Sequence, residues 1–152
     1  MAIKPRRIKA NTTTDYLGSW QVMNESGADI AQGKIVQISG VNSSGAFLLV
    51  KPLDVGAGPA GLVDAPKFIA GTKIPNGGSG VVRENYIVTG VDTSAAAAVG
   101  SPVYASLSAA AGDWQVGLPA GGGSPTKVGI VLKKDATTGV VLLAPQARVG
   151  AA

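Results

Sequence analysis

The chain has 152 residues, 45% of them hydrophobic but only 5% aromatic, and just 14% are charged, against about 25% in a typical soluble domain. That length suits one domain able to bury roughly two-thirds of its unfolded surface, and so little charge leaves a surface of Ser, Thr, Asn and Gly loops or of faces that meet other protein. With no cysteine and no histidine, disulfides and thiolate chemistry are excluded, and the usual general base, the commonest metal ligand and the simplest pH switch are missing.

The chain opens with MAIKPRRIKANTTTDYLGSW, which carries Lys4, Arg6, Arg7 and Lys9 before any acid. The formal net charge of +4 therefore sits in the first residues, and from Ala10 onward acids and bases balance. Residues 1–17 read as a basic, flexible arm. No apolar stretch follows the Arg-Arg pair, so it reads as neither a secretory nor a twin-arginine signal. No run approaches the ~18 apolar residues of a spanning helix. The expectation is a soluble chain made in the cytoplasm.

Residues 18–146 form the body, and 147–152 a short C-terminal tail. Nearly every apolar segment in the body is short and bounded by Gly, Pro, Asn, Ser or Thr, which predicts strands. In chain order these fall near Trp20–Met23, Lys34–Ser39, Phe47–Leu53, Gly61–Asp64, Val81–Arg83, Tyr86–Thr89, Val103–Ser106, Trp114–Leu118, Lys127–Leu132 and Val140–Ala144. Two pairs read as hairpins, one around GVNSSGA and one around KKDATTG. The only helix signal is DTSAAAAVG, where Asp92, Thr93 or Ser94 can cap the start and Gly100 the end. The fold class expected is all-β, a compact barrel or sandwich in one domain, with one or two very short helical turns.

Two stretches repeat one another. ADIAQGKIVQIS (28–39) and AAAAVGSPVYAS (95–106) share Ala28/Ala95, Ala31/Ala98, Gly33/Gly100, Val36/Val103 and Ser39/Ser106. Each reads as a turn, a glycine with positive φ, and then a strand with alternate residues inward. A reusable way into a sheet and a true internal duplication both account for this.

The motifs that might carry chemistry lack their contexts. Gly56-Ala57-Gly58-Pro59-Ala60-Gly61 spells GxGxxG, but Pro59 lies inside it and no helix or ribose-binding acid follows, so it reads as a turn. Ser124-Pro125-Thr126-Lys127 spells SxxK, but Pro125 and the preceding glycines argue for a loop entering a strand. The nine carboxylates are scattered singly, mostly at expected turns, where Asp more often caps backbone amides than catalyses. The residues themselves call for no catalytic site, cofactor, metal, small-molecule substrate, nucleic acid or membrane. The basic arm is a candidate docking element for an acidic protein surface, with a solvated tail as the alternative. Tyr16, Leu17 and Trp20, just after it, are candidate subunit or partner contacts.

The pattern from about Gly18 to Gln146 resembles the small cement, or decoration, proteins on capsids of tailed bacteriophages. The matching parts are NESGADIAQGKIVQISG, AGLVDA, IPNGGSGVVRENYIVTGVDTSAAAAVGSPVYAS and the closing KVGIVLKKDATTGVVLLAPQ, with the G-x-x-V entries at Gly33–Val36 and Gly100–Val103 most characteristic. The resemblance implies a compact β fold, frequently a homotrimer, on the outer surface of a mature capsid, with the major capsid protein as partner and no enzymatic activity. The family has no catalytic residues to transfer, and the arm lies outside the matched part. Three other classes stay open, one of them a cytoplasmic assembly chaperone that would leave the particle at maturation. A virion fibre-tip or receptor-binding module needs exposed aromatics, for which Trp114 beside Asp113 leaves room. A carboxylate-dependent hydrolase needs distant acids such as Asp54, Asp64 and Asp113 brought together.

Overall fold

The computed structural model describes residues 19–53, 66–106, 110–120 and 126–145. The described residues are all-β, about half of them in strands, and contain no helix. The first five strands are β1 (Ser19–Asn24), β2 (Ile35–Val41), β3 (Leu48–Pro52), β4 (Lys67–Ala70) and β5 (Ser79–Arg83). The second five are β6 (Tyr86–Val91), β7 (Pro102–Ala105), β8 (Trp114–Val116), β9 (Lys127–Lys133) and β10 (Gly139–Leu143). The hairpins expected around GVNSSGA and KKDATTG are β2–β3 and β9–β10, both antiparallel.

The first five strands close into a barrel in the order β1-β3-β2-β4-β5. Alternation along the strands sends Val22, Val36, Val50, Phe68, Ala70 and Val82 to the barrel interior, where Ile30 and Ile74 join them. The second five form a curled, open sheet in the order β6-β10-β9-β7-β8. Its buried side chains are Val103, Ala105, Val128, Val131, Val141 and Leu143, and they pack with Ile35, Leu53 and Ile69 from the barrel. Each wholly buried Val or Ile contributes roughly 1.5–3 kcal/mol relative to exposure.

The two halves have one topology. β1 pairs antiparallel with β5 as β6 does with β10, β5 with β4 as β10 with β9, β4 with β2 as β9 with β7, and β2 with β3 as β7 with β8. The two repeated segments enter the equivalent strands β2 and β7. The one pairing without a counterpart is the parallel pair β1–β3, registered Val22↔Leu48 to Asn24↔Val50, which closes the barrel.

The second half stays open because the entry to β2 occupies that place. Gln32 Nε2 donates to the hydroxyl of Tyr86, the first residue of β6, at 2.6 Å. Trp114 Nε1, at the start of β8, donates to the Gly33 carbonyl at 3.2 Å. Lys34 pairs with Asp113, and the Ile35 amide donates to the Gly112 carbonyl at 2.8 Å. The backbones approach so closely that a Cβ on Gly112, whose φ is +85°, would lie 2.8 Å from the Ile35 oxygen.

Two expectations are corrected. Asp92–Gly100 is not a helix but a succession of turns and bends, with hydrogen bonds from Ala96 N to Thr93 O and from Ser101 N to Ala98 O. A run this short cannot meet the cost of helix nucleation, and Thr93 is instead held, fully buried, by the carbonyls of Lys133 and Asp135. The second correction is β4, a strand the sequence reading passed over between Pro66 and Gly71. The strand expected at Gly61–Asp64 lies outside the described residues.

Candidate functional site

Lys4, Arg6, Arg7, Lys9, Tyr16 and Leu17 lie outside the described residues, as do the GxGxxG segment, Ser124 and Pro125, and the acids Asp54 and Asp64. Lys127 begins β9. Among the described residues no group of three or more Asp or Glu side chains is placed to hold a metal ion, and no helix is long and apolar enough to cross a membrane.

Four of the described carboxylates, Asp29, Asp92, Asp113 and Asp135, are held by loop or inter-half contacts. Asp29 pairs with Lys73 at 2.8 Å and accepts the Asn76 amide at 2.9 Å. Its pKa is lowered, first by the Lys73 ammonium bound to it and then by that amide. Asp92 accepts the hydroxyl and amide of Ser94, which hold its pKa down. Asp135 accepts the amides of Thr137 and Thr138, both at 2.8 Å, and these lower its pKa to about 2. Asp113 is the ion-pair partner of Lys34 between the two halves. Trp114 beside it is half-buried with its indole N–H given to Gly33, so this pair staples the two halves.

Trp20 is the one candidate contact among the described residues, and it lies in an open position. It is 48% exposed, and its ring stands 5.9 Å from that of Phe68 at an interplanar angle of 53°, braced by a core side chain. Together with Ser19, Gln21, Gly71, Thr72, Val81 and Arg83 it lines a groove of about 340 Å³. β1–β5 pairing brings Arg83 opposite Ser19. The stem of Arg83 crosses Gly71, where a Cβ would lie 2.8 Å from its Cγ. Thr72 Oγ1 accepts the Val81 amide at 3.1 Å. An aromatic face beside an amide, a hydroxyl and a guanidinium can stack against a flat or ring-shaped group and hydrogen-bond its edge.

Sequence reasoning singled out Trp20 but not Gln21, Thr72 or Arg83. The latter two come from separate segments and join Trp20 only through the barrel's pairing. No protein-family model, curated protein or solved structure matches this chain.

Proposed function

We propose that this chain is a structural virion protein, a cement or decoration protein that binds the outer surface of a mature phage capsid through the major capsid protein. The observation that carries this reading is the paired use of the Gly-x-x-Val entries on which the resemblance rests. Gly33 and Gly100 deliver β2 and β7 into equivalent places, so the most characteristic residues serve architecture in both halves. A β scaffold in which Asp29, Asp92 and Asp135 hold loops and Asp113 joins the two halves is suited to presenting surfaces rather than to turning over a substrate.

Binding that favours the expanded lattice over free subunits stabilises the shell by mass action. A homotrimer suits the three-fold positions of an icosahedral lattice, and simultaneous contacts to several capsid subunits raise avidity without strong individual contacts. The protein would be made in the host cytoplasm and reside on the capsid exterior.

The test is co-sedimentation of the full chain with mature capsids stripped of accessory proteins. The expected result is saturable binding at a fixed ratio to capsid subunits, with a shell that resists heat longer. Absence of binding overturns the reading. A second reading, a fibre-tip or receptor-binding module, is favoured by the groove at Trp20. Binding of a saccharide from a defined panel, abolished by Trp20→Ala, would support it instead.

A further inference from the structure

The groove at Trp20 lies where the chain enters the barrel. Ser19, the first residue of β1, lines it and faces Arg83 across the β1–β5 pair. Arg83 is the one charged residue among the described residues that line this groove. Val81 and the Arg83 stem make part of its wall apolar, and Gly71, over which that stem passes, adds no side chain of its own. The guanidinium is not a free charge.

The sequence that leads into this groove is TTTDYLG (12–18). Asp15 is the first acid of the chain and follows the four cations of the arm. It stands four residues before Ser19, so its Cα lies within about 14 Å of that residue's. Glu25, the next acid, follows the other end of β1, which leaves Asp15 as the acid on the side of Arg83. Tyr16 and Leu17 are the bulky apolar pair nearest the groove, and Gly18, just before Ser19, lets the chain reverse sharply.

We infer that this groove is the seat of the chain's own residues 15–17. Asp15 takes the Arg83 guanidinium in a charge-assisted contact, while Tyr16 and Leu17 lie against Val81 and the Arg83 stem. Chain continuity selects the occupant, since a segment tethered to the groove's own lining meets it at high effective concentration. The seat divides the arm. Residues 1–14, with Lys4, Arg6, Arg7 and Lys9, then start from a fixed point on the body, and a fixed root lowers the ordering cost of any contact they make. The inference does not depend on the capsid reading, and a groove filled in this way is closed to the saccharide of the second reading.

The test is limited chymotryptic digestion of the full chain, with cleavage after Tyr16 and Leu17 followed by mass spectrometry. A synthetic peptide of residues 8–22 sets the unprotected rate. The wild-type chain is expected to be cut well below that rate. Arg83→Glu and Asp15→Arg should each speed cutting by roughly 5-fold or more, because each turns an attraction into a repulsion and cutting follows the open population. The two together restore the pair with its charges exchanged and should return the rate toward wild type. Asp15→Arg lies before the ten described strands, so it reads the contact even should Arg83→Glu fold poorly. Wild-type cutting at the peptide's rate overturns the inference, as do single reversals without effect or a folded double reversal without rescue. Protection that falls on dilution gives the groove to the arm of another copy and overturns it too.

Discussion

Gly33 and Gly100 hold the same left-handed backbone at the entrances of equivalent strands, with φ of +87° and +90°. The Gly33 amide donates to Ala70 O at 2.8 Å and the Gly100 amide to Val131 O at 2.7 Å. The next residue completes each clamp, Lys34 O accepting from Ala70 N and Ser101 O from Val131 N, both at 2.9 Å. A Cβ at either glycine would meet nothing within 4 Å, so the only penalty for a side chain is conformational. Gly33→Ala and Gly100→Ala should each cost about 1–2 kcal/mol. Because the sites are far apart in sequence and clamp different strands, the double variant should lose close to the sum. Equilibrium urea unfolding of the three variants checks this; a cost at only one glycine would show that the halves do not use the turn alike.

Each half also buries a polar side chain at the exit of its first strand, Asn24 at the end of β1 and Thr93 just past β6. Asn24 Nδ2 donates to the carbonyls of Ala28 at 2.8 Å and Ile74 at 2.9 Å, while Oδ1 accepts from the amide and hydroxyl of Ser26. Thr93 Oγ1 accepts the Asp135 amide at 2.8 Å and lies within donating distance of the Lys133 and Asp135 carbonyls. Both pins tie the first strand's exit to the β4–β5 or β9–β10 connection. Asn24→Leu removes all four of these hydrogen bonds at a buried position, although the Ile74 carbonyl keeps the Ile30 amide, and should cost roughly 1–3 kcal/mol, and Thr93→Val, nearly the same shape, about 1–3 kcal/mol. Thermal melts rank them, and a neutral Asn24→Leu would mean that water replaces the amide.

Local chemistry was legible from the sequence and long-range closure was not. Gly, Pro and Asn punctuation located most strands and both hairpins, because turn type is a property of a few adjacent residues. β4 escaped because Phe68, Ile69 and Ala70 are all buried, the barrel taking one face and the second half the other, so no alternation marks it. The Asp92–Gly100 run suggested a helix by its capping residues and its alanines, but burial of Thr93 and Ala96 decided otherwise. Whether a half closes depends on β1 meeting β3 and on Gln32–Ile35 reaching Tyr86 and Gly112, contacts no spacing rule encodes. The groove at Trp20 was half legible: the aromatic stood out, while Arg83 and Thr72 needed the fold to reach it.

Acid should loosen the β9–β10 turn late. The Thr137 and Thr138 amides favour the ionised Asp135 carboxylate, lowering its pKa from 3.8 to about 2. A depressed folded-state pKa means that the ionised group's contribution is complete above the unfolded value and is lost as pH falls from about 4 through about 2. Asp135→Asn retains a carbonyl acceptor for the two amides but cannot titrate, so it should flatten that part of the stability profile. Carboxyl NMR titration reads the pKa directly. A midpoint near the ordinary carboxylate value would remove the turn hydrogen bonds as the cause.

Salt dependence distinguishes docking through the basic arm from a solvated tail. The chain's excess positive charge lies in Lys4, Arg6, Arg7 and Lys9, since the remaining charges balance. Attraction between exposed charges is screened beyond about 10 Å at 0.1 M salt, so a contact made by this arm must weaken as salt rises. Arg6→Ala combined with Arg7→Ala should reduce affinity for stripped mature capsids most at low salt, with the two binding curves converging at high salt. Circular dichroism should not change, because the ten described strands begin only at Ser19. Deleting residues 1–10 should give the same pattern, enlarged. Capsid affinity that stays the same in both variants across the salt series would leave the arm without a role in docking, and the body's own surfaces would then have to supply all of the binding.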